Sequence, residues 1–308
     1  MEINNFNNYI KKRFGRKLYK VSLDAGMSCP NRDGTLGTDG CIFCSTGGSG
    51  DFAASRTLSI TEQIEAGKKL VSNKLNITDS LNGLPCYIAY FQAYTNTYAP
   101  IDRLRQIYME AASHNDIAAI SIATRPDCID SAVMALLVEI NEIKPVFVEL
   151  GLQTSNEASA SYIRRGYTNQ VFADCITLMD SFNKNLESPI HIVVHTIIGL
   201  PNETYEDMEN TIKYINSFPI HGIKFQLLHI LKGTDLAKDY EKNPFKVLSL
   251  EEYTDILIRL LLILRKDIVV HRITGDGPKK LLIEPQWSGD KKRVLNYINH
   301  NIHKRNEE

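Results

Sequence analysis

The chain of 308 residues has only six cysteines and almost no net charge, with 35 basic and 36 acidic side chains giving a formal charge of −1. A balance that close gives the whole molecule no strong field, so an anionic partner would have to be met by local patches. No uninterrupted apolar run reaches the ~20 residues needed to span a bilayer. The longest, such as "IHIVVHTIIGL" from Ile190, are strand-sized, so no membrane association is expected. The opening "MEINNFNNYIKKRFGRK" has no apolar core followed by a small-residue cleavage site, which excludes a secretory signal there. Cysteines in this number without a signal argue for the reducing cytoplasm and against a disulfide framework. No internal repeat or low-complexity tract is visible, so the length implies one large domain or two ordinary ones.

Against that background, one stretch is rich in two residue types that are scarce elsewhere. "CPNRDGTLGTDGCIFCSTGGSG", from Cys29 to Gly50, holds three of the six cysteines and six of the eighteen glycines. Charge is also unevenly placed. Lys11 to Lys20 contains six basic residues and no acid, and Lys291 to Arg305 contains five basic residues, two histidines and no acid. These are either solvated terminal segments or two patches for a polyanion such as RNA, with Tyr19 and Tyr297 available for stacking on bases.

Apolar runs alternate with amphipathic stretches. Strands are expected at Leu18–Gly26, Cys86–Gln92, "IAAISIAT", "VFVELGLQ", "IHIVVHTIIGL", "GIKFQLLHI" and "IVVHRITG". Helices are expected between them: "SITEQIEAGKKLVSNKL" with Ser59 as N-cap and Gln63 reaching back, "APIDRLRQIYMEAASH" with Pro100 near its start, and "IDSAVMALLVEINEI". Further helices are expected over roughly Gln170–Asn185, over "TYEDMENTIKYINSF" capped by Thr204 with Asp207, and over "LEEYTDILIRLLLILRK". Strands apolar on both faces, alternating with helices, predict a parallel α/β sheet, either a barrel or partial barrel or an open doubly wound sheet. In both architectures ligands sit at the carboxyl ends of the strands. The segments following the strands carry Gln92, Thr95, Asn96, Arg125, Glu149, Gln153, Asn202, Glu203 and Asp276.

Three clustered cysteines admit several chemistries. A structural zinc site would need a fourth ligand, with His114 or His191 as candidates from afar. A redox pair would leave Cys29 unexplained. A 4Fe–4S cluster on three thiolates would leave one iron with an open position, which usually means chemistry. The loop glycines would let the chain fold around such a bulky core and approach it closely.

Cys29, Cys41, Ile42, Phe43 and Cys44 resemble the cluster loop of radical S-adenosylmethionine enzymes, which ends Cys-x-aromatic-Cys. Eleven residues separate Cys29 from Cys41, where the commonest family spacing is three. A long first gap is found in the branch of the Elongator catalytic subunit. "ELGLQTSNEASASYIRRGYT" and "HTIIGLPNET" resemble the fourth- and fifth-strand segments of that branch. "LDAGMSCPNRDGTLGTDGCIFCS" and "FQAYTNTYAP" resemble more narrowly the YhcC/YtqA (MnmL) type. The resemblance covers about residues 15 to 290.

It implies a partial (β/α)6 TIM-like barrel of the radical SAM type over residues 15–255, with a C-terminal extension over 256–308 packed on it. The implied cofactors are a 4Fe–4S cluster held by Cys29, Cys41 and Cys44, and S-adenosylmethionine. Phe43 would pack near the adenine, and Gln92 stands where the family commonly has Gly-Gly-Glu. Glu149 and Gln153 would face the cofactor, Arg165 would approach its carboxylate, and Gly199 with Leu200 would shape the adenine side. The implied reaction is reductive cleavage to a 5′-deoxyadenosyl radical that abstracts hydrogen from the substrate. The branch implies a tRNA partner, the wobble uridine as target and trimming of a carboxymethylaminomethyl group at C5 to aminomethyl. A one-electron donor of flavodoxin or ferredoxin type is then needed, and Arg125 is a candidate for the substrate's carboxylate. Two other readings stand beside this one: radical chemistry on a small molecule or peptide, and a non-catalytic module with structural zinc. Cys86, Cys128 and Cys175 read as small buried residues.

Overall fold

The computed structural model describes residues 3–48, 50–51, 53–72, 85–275 and 277–305. Seven parallel strands lie in one sheet in the order β1 (Tyr19–Leu23), β2 (Tyr87–Phe91), β3 (Ile117–Thr124), β4 (Val146–Gln153), β5 (His191–Ile198), β6 (Gly222–Leu227) and β8 (Val269–Arg272). The sheet curls into a half-barrel. A short antiparallel pair, β7 (Ile230–Leu231) and β9 (Leu282–Glu284), stands apart from it. The strand order follows the chain because each strand is joined to the next by a crossover, as parallel pairing requires.

The helices are α1 (Phe6–Phe14), α2 (Ile60–Val71), α3 (Ile101–Ser113), α4 (Ser131–Ile143), α5 (Glu157–Tyr162), α6 (Asn169–Asn183), α7 (Tyr205–Asn216), α8 (Asp235–Lys242), α9 (Leu250–Ile263) and α10 (Lys291–Lys304). Several begin where the sequence places them. Pro100 caps α3, Thr204 and Asp207 form a capping box on α7, and α9 has another from Ser249 and Glu252. In α2 the third helical position is Glu62, so Glu62 and not Gln63 closes the box with Ser59. Gln63 points inward instead and pairs with both backbone groups of Asp24. The expected helix near Gln170 runs from Asn169 to Asn183, and α5 precedes it where none was expected. Residues 73–75, at the end of the helix expected from Ser59, lie outside the described residues, as does Asp276. The basic run at Lys291 is the helix α10, and the expected division at 255/256 falls inside α9. Among the described residues no helix is long and apolar enough to cross a membrane.

Successive strand side chains alternate between two faces. One set, including Val21, Leu23, Val148, Leu150, Val194 and Phe225, packs outward in the main core with the helices. The inner set is layered. Ile88, Ala119, Phe147 and Val193 form an apolar floor at the amino ends of the strands, sealed by Ile10 of α1 with Phe6 and Tyr9. Above that floor the inner face turns polar, and the cysteine loop follows β1 at the carboxyl end. Lys20, part of a run read as surface charge, is turned inward by the alternation of β1 and meets Glu149 of β4 at 2.7 Å.

Candidate active site

The loop after β1 is stapled by its own polar residues. Arg32 and Asp33 amides donate to Cys29 O at 2.8 and 3.2 Å, and the Gly40 amide donates to Asn31 O at 2.7 Å. Arg32 Nη2 donates to Cys44 O at 3.1 Å and Ser45 O at 2.8 Å. Asn31 Nδ2 donates to Arg164 O at 2.7 Å and reaches Cys41 Sγ at 3.5 Å, tying the loop to the segment after α5. Two of the loop glycines combine a left-handed backbone with a close approach. A Cβ on Gly40, at φ +76, would lie 2.8 Å from Arg32 Nε; one on Gly48, at φ +57, would lie 2.5 Å from the Tyr94 ring. The close approach these glycines permit is therefore to Arg32 and Tyr94.

The loop brings Cys29, Cys41 and Cys44 to the mouth of one cavity of about 170 Å³, lined also by Phe43, Gln92, Thr95, Glu149 and Gln153. All six cysteines are free thiols. Burial, and then the charge of neighbouring Cys44, push the Cys41 thiol up to about 12. A thiol whose ionisation two neighbouring cysteines oppose suits a shared cationic centre, since the ligating form is the thiolate. A second feature is Gln153. It ends β4 at φ +68, uncommon for a non-glycine residue, and its buried Oε1 has no hydrogen-bond partner among the described residues. An orphaned acceptor beside three thiols fits a ligand that brings donors of its own. These residues thus fit a thiolate-bound cluster with a small polar molecule next to it. His114 and His191 cannot complete a zinc site: they stand just before β3 and at the start of β5, the opposite end of the strands from the cysteines. Cys86 and Cys175 are buried, and Cys128 lines a separate hollow with Pro30 and Tyr98.

The deep wall of the cavity is charged. Glu149, 1% exposed, accepts from Lys20 Nζ at 2.7 Å and Ser121 Oγ at 2.7 Å through one oxygen, and from Lys224 Nζ and His195 Nε2 (2.9 Å) through the other. Burial alone would raise its pKa, but the two lysines and His195 hold it well below the usual carboxylate range. Burial followed by Lys224 pushes His195 down to about 4, so the imidazole is neutral near pH 7. Burial lowers Lys224, Glu149 opposes that by favouring the ammonium form, and Lys20 and Arg272 lower it further. Tyr90, Gln226 and Arg272 complete this wall.

The structure separates the expected site residues into two groups. Phe43, Gln92, Glu149 and Gln153 line the cavity with the cysteines, although both Glu149 oxygens are already engaged. Gln92 accepts from Ser22 Oγ at 3.0 Å through its own carbonyl. Arg165 reaches the cavity wall, but its guanidinium is held by Leu152 O, Thr154 O, Tyr167 O, Glu157 and Asn169, which leaves no fork for a ligand carboxylate. Arg125 is likewise taken, bidentate on Asp127 at 2.9 and 2.7 Å. Arg125 and Arg165 flank the Tyr167 ring, each 4.9 Å from its centre. Gly199 lies outside the cavity lining at φ +90, where a Cβ would meet Leu248 at 3.0 Å. Leu200 packs in a cluster with Ile42 and Ile163, against which Phe43 rests. Asn96 is turned away, donating to Phe91 O and Ala123 O. The residues missed from sequence are Lys20, Tyr90, His195, Lys224, Gln226 and Arg272. Their signal is phase: Lys20 alternates with the core residues Val21 and Leu23, and Lys224 and Gln226 alternate with Ile223, Phe225 and Leu227.

A family profile described as the Radical SAM superfamily matches residues 33–215, and one described as the Radical_SAM C-terminal domain matches 220–304. YtqA of Bacillus subtilis is 42% identical over 299 residues, covering 97% of this chain and 89% of that protein. YhcC of Escherichia coli is 33% identical over 286 residues, covering 92% and 87%. Among solved structures, the Elp3 of Methanocaldococcus infernus lacking its N-terminus superposes with a TM-score of 0.65 at 15% identity, over 92% of this chain and 63% of that one, a likeness of fold. A partial match, 24% identical over 57% of this chain and 31% of the other, is to the tRNA uridine(34) acetyltransferase of Methanocaldococcus jannaschii. With its three-cysteine loop at the mouth of a seven-stranded half-barrel, the chain belongs to the radical SAM superfamily, in one family with YtqA and YhcC, and its cofactors are a 4Fe–4S cluster and S-adenosylmethionine.

Proposed function

We propose that this radical SAM enzyme acts on tRNA at the wobble uridine, trimming a carboxymethylaminomethyl group at C5 to aminomethyl. The observation that carries an RNA substrate is a groove of about 1170 Å³ between the two basic termini. Lys11 of α1 lines one side and Lys291 and His303 of α10 the other, with His271 and Arg272 of β8 between them. No acidic side chain lines it among the described residues, and Arg272 borders both this groove and the cysteine cavity. Two segments nearly the whole chain apart thus form one cationic surface beside the cavity, which suits a phosphate backbone outside and a splayed base inside. The partial match to a tRNA uridine(34) acetyltransferase agrees with this substrate.

When bound, the cluster and S-adenosylmethionine supply one-electron cleavage of the sulfonium and hydrogen abstraction, fed by a donor of the flavodoxin or ferredoxin type. The chain's own part is to hold and exclude. Cys29, Cys41 and Cys44 would ligate the cluster. Phe43 and the orphaned Gln153 Oε1 would receive the nucleoside portion, and Gln92 would stand beside it. The buried, charge-paired wall behind them keeps water and stray hydrogen donors away from the reacting atoms.

Anaerobic reconstitution with reductant and S-adenosylmethionine should yield more 5′-deoxyadenosine with tRNA carrying the carboxymethylaminomethyl group than without it. Reversing Lys11 and Lys291 to glutamate should weaken tRNA binding and lower the slope of log affinity against log salt by about one for each phosphate no longer neutralised. Deoxyadenosine formed at a yield indifferent to that tRNA would point instead to a small-molecule or peptide substrate.

A further inference from the structure

Glu149 is the one acidic partner that Lys20 and Lys224 have among the described residues, so two ammonium groups share a single buried carboxylate. Arg272 adds its field to the same wall. Lys20 lies behind, 26% exposed and not part of the cavity lining, over the faces of Phe6 and Tyr90. Lys224 faces the cavity, 3% exposed, and also donates to Tyr90 Oη at 3.3 Å. A cation buried with half a counter-charge is costly unless something else supplies the rest. The neighbours from the other strands do not supply it. His195 is an imidazole whose Nδ1 is 3.2 Å from Gln226, and Ser121 and Tyr90 carry neutral hydroxyls. The two arginines nearer the mouth are committed to Asp127 and to backbone carbonyls, so neither competes for a ligand anion.

We propose that Lys224, pinned by Glu149 and flanked by Arg272, is the anchor of a carboxylate subsite on the inner wall of the cavity, and that the group transformed by the enzyme carries that carboxylate. The inference rests on the substrate reading above and specifies it: the anionic end of the substituent lies against β6 and β8, across the cavity from the cysteines. Glu149 is a positioning residue here. It orients two lysines and has no oxygen left for the ligand.

The test compares two synthetic anticodon stem-loop RNAs that differ at the wobble position, one with 5-carboxymethylaminomethyluridine and one with 5-aminomethyluridine. Equilibrium binding is measured on the cluster-loaded protein with S-adenosylmethionine and no reductant. The wild type should favour the carboxylate RNA by about 10- to 100-fold, the range for a hydrogen bond to a charged group. Lys224→Met should erase that preference. It should leave affinity for the aminomethyl RNA and for S-adenosylmethionine unchanged, which separates the substrate's carboxylate from the cofactor's. A thermal melt of the variant checks its fold, and the wild-type comparison stands without any variant. Equal binding of both RNAs by the wild type overturns the subsite and leaves the tRNA reading intact. Failure of both RNAs to bind overturns the tRNA reading, and the free carboxymethylaminomethyl nucleoside then decides the subsite. Binding of that nucleoside that depends on Lys224 upholds it, and binding that does not overturns it.

Discussion

Cys41→Ala protein, reconstituted anaerobically with iron and sulfide, should hold almost no cluster and form no 5′-deoxyadenosine. Cys41 is half-buried, and as a thiol it resists ionisation because of its partial removal from water and of Cys44 beside it. Its ligating form is favoured only when a cationic centre is present, so binding of that centre and deprotonation are one event. Removing one of three ligands leaves a site that must hold its iron on two. Loss of an outer partner alone typically costs about 10- to 100-fold in metal affinity, and loss of a ligand should exceed that range. Iron per chain and the visible absorption of the reconstituted protein read the loss directly, and deoxyadenosine reads its consequence. The control is Cys175→Ala, because Cys175 is buried in the main core away from the cavity. It should retain the iron of the wild type. Equal iron in Cys41→Ala and wild type would remove this residue from the ligand set.

Much of this architecture was legible because it depends on local signals. Strand–helix alternation, capping residues such as Thr204 with Asp207, and the three-cysteine loop are all readable within a window of a few residues. All seven parallel strands lie where the apolar runs placed them. Contacts between distant segments were harder to read. Arg125 and Arg165 sit in the right segments, but a sequence does not show that Asp127 and the carbonyls after β4 already occupy their forks. Glu149 was expected to face the cofactor, yet its four donors come from β1, β3, β5 and β6, which only the curl of the sheet brings together. Lys20 was hidden inside a basic run because five of the six charges near it belong to α1 and the turn after it. What distinguished it was phase. Val21 and Leu23 face the helices, so Lys20 and Ser22 must face inward.

That buried cluster also makes Glu149 the position where a single substitution should cost the most stability. Glu149→Ala leaves Lys20 and Lys224 with no counter-charge and takes away the acceptor used by Ser121 and His195. Breaking a buried ion pair from one side costs about 3–5 kcal/mol, a large part of a total of ~5–15 kcal/mol. The melting temperature should fall by roughly 10 °C. Replacing Lys224 with methionine in the same chain should recover part of the loss, because the stranded cation is removed with its partner and an apolar side chain fills the space. Additive losses in the double variant would mean that the two residues are not energetically coupled. The pH dependence follows from the direction of the shifts. The Glu149 carboxylate is held well below its ordinary value in the fold. Its contribution is therefore complete above the unfolded carboxylate range and is lost only as pH falls through the lower folded value. His195 acts in a different window. With a folded pKa of about 4 against an ordinary 6.5, it takes up its proton more readily in the unfolded chain, so it withdraws stability as pH falls from 6.5 to 4. The wild type should thus soften first through His195 and only at stronger acid through Glu149. The melting-temperature gap to Glu149→Ala, followed by calorimetry down the pH scale, should stay open through the first stage and begin to close in the second. A gap that closes already near pH 6 would show that the Glu149 carboxylate is not held by its lysines as the geometry requires.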